Sequence, residues 1–349
     1  RFLKCKGADD VASFVFITDV HSKLTQKADP PDFGNSRYHV LFAQAAADRA
    51  GCDFIVDGGD HDYQNGCKSA AESLQRMAVA ESVYHDYKAR PVLFCLGNHD
   101  HGHADDRKSP APISSQLFGD TFNGLAEKHG FKLVFGENRS WGYYDAAKSK
   151  FRAIFCNTSD EGYLGISREQ MQFLSDALSS APEGWHVAVM QHANIPDFIA
   201  RWRRGIEDGN FKRSGIEIQL IEDFANRRGD LVQGWKRPPI KDQYDGIRWN
   251  FSQAKASLVG VFQGHLHAES FLKYAKVPYV IRPGYGTIPW DCRCAEWRDV
   301  KRNPVTGEFI FDRRKAMMVD LVAVKPLKRE VHVFRFGFGG PESELEYGY

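Results

Sequence analysis

Short apolar runs that end in a polar turn recur along the chain and predict the ends of buried strands. Val92–Leu96 is such a run, too short for a helix and typical of a parallel strand buried on both faces. Runs of the same form lie at 14–18, 53–57, 186–190 and 258–263. Segments with helical periodicity separate the first three runs in the chain, which favours parallel strands joined by crossover helices. The hydrophobic pattern therefore predicts an α/β domain.

The remaining elements follow from periodicity and from helix start and stop signals. We expect helices at 36–50, 68–88, 115–129, 167–180 and 214–228, and further strands at 131–135, 141–145, 151–156, 277–282, 309–312, 316–324 and 329–336. In the first helix, Leu41, Ala45 and Ala46 are expected to face the core. Ser167 followed by Gln170 has the form of a capping box, which predicts the start of the fourth helix.

Two segments break the regular pattern. The segment 193–250 is irregular and rich in Arg and Trp, and we expect it to be a cap inserted within one domain that spans 1–349. Ordinary packing with a solvated basic face is an equal alternative for this segment. The tail 337–349 is rich in Gly and acidic residues, which indicates a surface strand or a disordered end.

Polar residues that bind metals or transfer protons follow each of the five runs. They are Asp19 and His21, Asp60 and His61, Asn98 with His99 and Asp100, His192, and finally His265 with His267. The carboxyl ends of parallel strands meet at one edge of a sheet, and loops at that edge carry function because rigid strands hold them. The sequence therefore predicts one site that collects these side chains.

The chemistry of the set indicates a metal centre. Carboxylate, amide and imidazole donors without a thiolate suit Mn²⁺, Fe or Zn²⁺. The donors are too many for one tetrahedral ion and fit two ions about 3.5–4 Å apart, which together can polarise a phosphoryl group. Asp60 is the natural bridge, because a carboxylate after Gly58-Gly59 can approach both ions without crowding.

The residues at the strand ends match a known pattern in their order along the chain. The pattern is D-x-H, G-D, G-N-H-[DE], a single His and G-H-x-H. It is met by Asp19-Val20-His21, Gly59-Asp60, Gly97-Asn98-His99-Asp100, His192 and Gly264-His265-Leu266-His267. The chain thus resembles the calcineurin-like, binuclear metallophosphoesterases over about 12–336. The resemblance implies a four-layer α/β/β/α sandwich of two mixed sheets, and metal-dependent hydrolysis of a phosphomonoester or phosphodiester.

The resemblance also implies a role for each residue. The first metal would be held by Asp19, His21, Asp60 and His267, and the second by Asp60, Asn98, His192 and His265. A hydroxide that bridges the metals would attack phosphorus in line. His99 would bind a phosphate oxygen or protonate the leaving group, and Asp100 would fix the imidazole of His99.

Six further residues are candidate substrate contacts. His61 stands where the family commonly has a small or apolar residue, and a position behind the ligands or in solvent is favoured over substrate contact. In the proposed cap, Arg201 and Arg204 would bind anionic oxygens, and Trp202, like Trp249, would stack on a sugar or base. Tyr285 would lie at the rim of the site, with a packed turn aromatic as an equal alternative.

Composition narrows the range of partners. Lys+Arg 46 against Asp+Glu 45 gives a nearly neutral chain of 349 residues, so its charge requires neither a nucleic acid nor a membrane partner. We find no run of 18 apolar residues and expect no membrane span. A nuclease is a less favoured alternative, supported by basic residues at 201–204 and 236–237. A catalytically silent phosphate-binding or scaffold module is the other alternative.

The cysteines and the first residue bear on the location of the protein. The seven cysteines are scattered, without the form of a disulfide framework. Cys52, Cys95 and Cys156 are expected to be small buried side chains, and Cys292-Arg293-Cys294 is a weak zinc signal. The chain begins without Met, so we expect a processed or trimmed product. A cytoplasmic location is favoured over a secreted, surface or virion-associated one, and the oligomeric state is left open.

Overall fold

The computed structural model of the chain describes eleven segments. These are residues 2–5, 11–21, 34–61, 69–101, 113–160, 165–193, 211–232, 244–266, 269–282, 318–337 and 340–349. The predicted strand at 309–312 lies outside them, as does the Cys292-Arg293-Cys294 segment.

The first sheet contains six strands in the order β15-β14-β13-β1-β2-β3. Its strands are β1 (Ala12–Ile17), β2 (Phe54–Asp57), β3 (Val92–Phe94), β13 (Met318–Lys325), β14 (Glu330–Gly337) and β15 (Leu345–Gly348). β1, β2 and β3 are parallel, and the chain passes between them through helices α2 (Gly34–Ala50) and α3 (Ala70–His85). β13, β14 and β15 extend the sheet in antiparallel fashion. The tail thus contributes an edge strand.

The second sheet contains seven strands in the order β11-β12-β10-β7-β6-β5-β4. They are β4 (Leu133–Phe135), β5 (Gly142–Ala146), β6 (Phe151–Phe155), β7 (His186–Gln191), β10 (Ser257–Gln263), β11 (Ser270–Tyr274) and β12 (Val277–Ile281). The four central strands, β12, β10, β7 and β6, are parallel. The other described elements are α1 (Phe2–Cys5), α4 (Ser115–Phe118), α5 (Gly124–Lys128), α6 (Arg168–Ser179), α7 (Phe211–Asn226), β8 (Gly229–Leu231) and β9 (Arg248–Asn250).

Aromatic side chains fill the space between the two sheets. Phe14 stacks on Phe54 with ring centroids 5.1 Å apart, and it meets Phe262 of the second sheet edge to face at 5.2 Å. α2 and α3 cover the outer face of the first sheet, while α6 and α7 cover that of the second. The molecule is therefore an α/β/β/α sandwich of two mixed sheets, and the predicted fold class is confirmed.

Strand register brings the polar strand ends to one edge. Ile17 at the end of β1 pairs with Asp57 at the end of β2, and Gln191 at the end of β7 pairs with Gln263 at the end of β10. The loops that follow these strands therefore begin at the same level of each sheet.

The structure corrects the predicted inward face of α2. Val40, Ala43 and Ala47 are buried, whereas Leu41 is 38% exposed and Ala45 is exposed. Alanine and aliphatic residues occupy both faces of this helix, so the hydrophobic period alone does not select one. The helical segment expected at 115–129 contains a π-helical turn at Gly119–Asn123, between α4 and α5.

The segment 193–250 is described at 211–232 and from 244 onward, and these parts pack against the outer face of the second sheet. Leu220 and Phe224 of α7 are fully buried there. Trp249 on β9 is 3% exposed, and its indole Nε1 donates to Asp223 Oδ2 at 2.9 Å. Because Trp249 belongs to the core, its expected stacking on substrate is wrong. The assignment of a cap to the whole segment stays a prediction.

Candidate metal centre

Four predicted ligand positions adopt a backbone conformation that non-glycine residues rarely adopt. The φ angles are 50° at Asp19, 44° at His21, 55° at Asp60 and 69° at His265. Such positions cost of order 1–3 kcal/mol each and persist only where the surroundings enforce them. Here the Asp19 N–H donates to Gly59 O at 2.8 Å and the His21 N–H to Asp60 O at 2.9 Å. The loops after β1 and β2 are therefore joined by backbone hydrogen bonds.

The first predicted metal group converges around His21. Its Nε2 atom lies 3.8 Å from Asp19 Oδ1 and 3.8 Å from Asp60 Oδ2, and all three side chains are buried. One donor atom from each of the three lies within 4.8 Å of the others. The fourth predicted ligand, His267, is outside the described residues.

The second predicted group converges around His192. Its Nε2 atom lies 3.2 Å from Asp60 Oδ2 and 3.2 Å from Asn98 Oδ1. The rings of His192 and His265 are 5.0 Å apart at 70°. Asp60, His192 and His265 each offer a donor atom within 4.8 Å of the others. Asp60 thus belongs to both groups, as its predicted bridging role requires.

The two oxygens of Asp60 have different surroundings. Oδ1 accepts the backbone N–H of His99 at 2.8 Å, whereas Oδ2 faces Nε2 atoms of three histidines, at 3.2 Å from His192, 3.8 Å from His21 and 4.0 Å from His99. Burial alone would raise the pKa of Asp60, but His192, His21 and His99 hold that pKa well below its usual range. Asp60 is therefore a buried carboxylate ion.

The orientation of His192 tests whether a metal fits this site. His192 Nδ1 lies 2.9 Å from Gly58 O, and because a carbonyl only accepts, Nδ1 carries the proton. The lone pair of neutral His192 therefore lies on Nε2 and points at the Asp60 carboxylate. Burial lowers the pKa of His192, and the Asp60 charge outweighs it and raises this pKa to about 10. Either a proton or a cation must lie between the two groups, and a histidine whose far nitrogen donates to a carbonyl is the usual form of a metal ligand.

Two motif glycines allow the ligands to approach so closely. A Cβ atom at Gly97 would collide with Asp60 Oδ1 and the Asp60 backbone nitrogen. A Cβ atom at Gly264 would collide with the Thr18 hydroxyl and would lie 2.5 Å from Asp19 Oδ2. These glycines are therefore required by the close contact between loops.

His99 lies at the open side of the site. Its side chain is 28% exposed, and its ring meets that of His21 edge to face at 5.3 Å. This position suits a group that reaches a substrate, which is the predicted role.

Asp100 is hydrogen-bonded to the loop that carries Asp60. Its carboxylate accepts the backbone N–H groups of Asp60 at 2.9 Å, His61 at 2.9 Å and Gly97 at 2.8 Å, and it pairs with His61 Nδ1 at 2.9 Å. Asp100 therefore fixes this loop, and its expected function of orienting the His99 ring stays a prediction.

His61 lies beneath the site. Its side chain is 1% exposed, and its ring packs between those of Phe118 and Phe122 at 5.1 and 5.0 Å. Burial lowers the pKa of His61, but the Asp100 and Asp57 charges outweigh it and raise this pKa to about 9. A direct contact with substrate, the less favoured expectation for His61, does not fit this enclosed position, whereas a position behind the ligands does.

Sequence reasoning missed three contributors to the site, Thr18, Tyr84 and Asp57. The Thr18 hydroxyl donates to Asp19 Oδ2 at 2.7 Å, and the Tyr84 hydroxyl donates to Asp57 Oδ2. Burial raises the pKa of Asp57. An acidic residue at the end of an otherwise apolar strand could have indicated Asp57 from the sequence. The candidate contacts Arg201, Trp202, Arg204 and Tyr285 lie outside the described residues.

The fold and the convergent donors define an α/β sandwich with a candidate binuclear metal centre, and comparison with known proteins supplies its family. The model of the calcineurin-like phosphoesterase family matches residues 12–214, more than half of the chain. The chain therefore belongs to the calcineurin-like phosphoesterase family. No curated protein sequence matches the chain.

The chain is similar to two solved structures, and the first of them shares its fold. A dimetal phosphatase from Danio rerio is 10% identical with a TM-score of 0.57, and the match covers 98% of this chain and 100% of that chain. The purple acid phosphatase PPD1 from yellow lupin (Lupinus luteus) is 14% identical with a TM-score of 0.47, over 94% of this chain and 52% of that chain. Among the described helices, none is both long and apolar enough to cross a bilayer.

Proposed function

We propose that the protein is a metal-dependent phosphoesterase that hydrolyses a phosphomonoester or a phosphodiester. The observation that carries the proposal is the buried Asp60 carboxylate, which is shared by two groups of metal-binding donors. Family membership supports the same reaction class. A carboxylate common to two groups is typical of sites in which two ions act on one phosphoryl group.

The residues divide between two metal positions. Asp19, His21 and Asp60 would hold the first ion together with His267, and Asp60, Asn98, His192 and His265 would hold the second. Manganese, iron and zinc all suit this donor set. When bound, two such ions would polarise the phosphoryl group and supply a strong oxygen nucleophile at neutral pH.

The chain itself supplies orientation and a proton. The carbonyl of Gly58 fixes the tautomer of His192, and the His265 N–H donates to Asp19 Oδ2 at 2.9 Å, which holds the last loop against the first. His99, partly exposed beside Asp60, would bind a phosphoryl oxygen or protonate the leaving group. Arg201, Trp202, Arg204 and Tyr285 stay predicted substrate contacts.

A direct test is hydrolysis of p-nitrophenyl phosphate and bis-p-nitrophenyl phosphate by the purified protein with added Mn²⁺. We expect turnover of at least one substrate that is lost on chelation and absent in Asp60→Asn. Preference between the two substrates distinguishes a monoesterase from a diesterase. Absence of turnover by a protein that binds two ions would instead support the silent scaffold, and nicking of plasmid DNA would support the nuclease.

A further inference from the structure

A chain of buried polar groups connects α3 to the bridging residue Asp60. We propose that His61 is a positioning residue: its imidazole, held between Asp57 and Asp100, fixes the loop that carries Asp60 and so sets the spacing of the two metal positions. The inference rests on the proposed function and adds a residue that contacts neither metal nor substrate.

The chain of contacts begins on helix α3. The Tyr84 hydroxyl donates to Asp57 Oδ2, and Asp57 Oδ1 lies 3.9 Å from His61 Nε2. On the other side of the ring, His61 Nδ1 lies 2.9 Å from Asp100 Oδ2. Each nitrogen of the imidazole thus faces a different carboxylate, one at the end of β2 and one in the loop after β3.

Asp100 connects His61 to Asp60 through hydrogen bonds. It accepts the backbone N–H of Asp60 at 2.9 Å and that of Gly97 at 2.8 Å, which joins the loop after β2 to the loop after β3. The His99 N–H in turn donates to Asp60 Oδ1 at 2.8 Å. The main chain and the side chain of Asp60 are therefore both hydrogen-bonded to the Gly97–Asp100 turn. These bonds help to hold the backbone of Asp60 at a φ of 55°.

Histidine is suited to this position because two buried carboxylates would otherwise repel each other. Asp57 and Asp100 are 0% and 2% exposed. The imidazole lies 2.9 Å from Asp100 through Nδ1 and 3.9 Å from Asp57 through Nε2, and the hydrogen bond to Asp100 offsets part of the cost of burying that carboxylate. The rings of Phe94, Phe118 and Phe122 surround the imidazole at 5.0–5.4 Å and fix its plane. If the donor is lost, we expect Asp100 to relax and the loop with Asp60 to move.

Metal sites are sensitive to such changes. Loss of a partner that orients a ligand typically weakens metal affinity 10–100-fold, and productive geometry must be held within about 0.5 Å. A purely structural histidine would lower stability without changing the affinity of the folded protein for metal. This difference separates the two explanations.

The chain offers matched controls. His39 on α2 is also fully buried, and the charged groups that act on it are Arg335 and Asp320 of the first sheet. Tyr244 has a buried hydroxyl that donates to Ile166 O, behind the second sheet. His61→Phe should fit the aromatic surroundings but donates no hydrogen bond, whereas His61→Gln keeps a donor. Tyr84→Phe removes only one hydroxyl from the chain of contacts.

The experiment measures Mn²⁺ affinity by chelator competition and the magnetic coupling of the two ions by electron paramagnetic resonance, with thermal unfolding of each metal-free variant. We expect His61→Phe to bind Mn²⁺ roughly 10–100-fold more weakly with altered coupling, and His61→Gln to recover part of the loss. His39→Phe should unfold at lower temperature but keep wild-type affinity.

Tyr84→Phe decides the question if His61→Phe does not fold. We expect it to weaken Mn²⁺ binding several-fold, whereas Tyr244→Phe should not. Wild-type affinity and coupling in a folded His61→Phe, or in Tyr84→Phe where that variant alone folds, would overturn the inference. A wild-type protein that binds fewer than two ions would overturn the proposed function itself, so the two failures are distinguishable.

Discussion

Two buried clusters of charged residues lie between the strands of this protein, and they are built differently. One is the metal edge formed by Asp19, His21, Asp60 and His192. The other, which we call the arginine cluster, consists of Glu269, Arg282, Asp320 and Arg335. All eight side chains are at most 8% exposed, so each cluster must satisfy its charges without bulk water.

The arginine cluster satisfies its charges from within. Asp320 on β13 accepts from Arg282 at 2.6 and 3.1 Å and from Arg335 at 2.6 and 3.0 Å. Arg335 also pairs with Glu269 at 3.1 Å. Burial alone would raise the pKa of Asp320, but the two arginines lower it to about 2. Opposite charges with paired hydrogen bonds make this cluster a link between the sheets.

The carboxylates of the metal edge face imidazole nitrogens. His21 Nε2 lies 3.8 Å from both Asp19 Oδ1 and Asp60 Oδ2, and His192 Nε2 lies 3.2 Å from Asp60 Oδ2. Four of its ligand positions also have positive φ angles. Buried acids paired with arginine thus serve the architecture of this protein, whereas buried acids that face several imidazole nitrogens mark its candidate cation site.

Asp60→Asn should have the largest effect, because it removes the carboxylate that both candidate metal groups share. We expect the variant to lose both ions. Its phosphoesterase activity should fall by much more than the roughly 10–100-fold that follows loss of a residue hydrogen-bonded to a metal ligand. Metal analysis after gel filtration checks this. Two tightly held ions in the variant would refute the bridging assignment.

His99→Ala should keep both metals and lower kcat by roughly 10²–10⁴-fold, the usual contribution of a positioned acid–base group. If His99 protonates the leaving group, the loss should be smaller for p-nitrophenyl phosphate than for phenyl phosphate. An equal loss for both esters would assign His99 to phosphate positioning instead.

Asp320→Asn tests the arginine cluster. It leaves two buried arginines poorly compensated and should lower the free energy of unfolding by about 3–5 kcal/mol. The folded variant should still bind two ions. Because the folded pKa of Asp320 lies below its usual 3.8, its stabilisation is present above pH 3.8 and is lost as pH falls toward 2.

The stability difference between wild type and Asp320→Asn should therefore shrink in acid. Unfolding in urea at pH 7 and near pH 3 measures it. A difference that grows on acidification would contradict the assigned pairing.

Glu217→Gln should have the smallest effect. Glu217 on α7 is 2% exposed, and among the described residues no cation pairs with it. Burial raises its pKa to about 8, so wild-type stability declines as pH rises from 4.5 through 8. The variant avoids this decline and should be more stable at pH 9 than wild type, with little gain at pH 5. Thermal unfolding at the two pH values checks this, and an equal gain at both would show that ionisation is not involved.

The strand ends were predictable because a short apolar run followed by Gly, Asp, Asn or His has few other structural meanings. This logic placed Asp19, Asp60 and His192 correctly at one edge. The two-sheet sandwich came from the family resemblance that these motifs carry, because the strand pattern alone would allow other layered folds. The short strands β8, β9 and β11 were not predicted, because their residues show no clear alternation of apolar and polar side chains.

The contacts of Asp100 and His61 were not predictable, because adjacency in sequence does not indicate these partners. Asp100 follows His99 directly, yet its carboxylate turns toward N–H groups about forty positions earlier in the chain. His61 follows a ligand but enters a layer formed by aromatic residues from 94 to 122. Such contacts depend on how two loops meet in space.

The central claim is that the metal edge holds two ions that share Asp60. Titration of metal-free protein with Mn²⁺, followed by counting bound ions per chain and by electron paramagnetic resonance, tests it most directly. We expect two ions per chain with magnetic coupling between them, and the same number and coupling in Asp320→Asn. A single uncoupled ion per chain, or none, would contradict it.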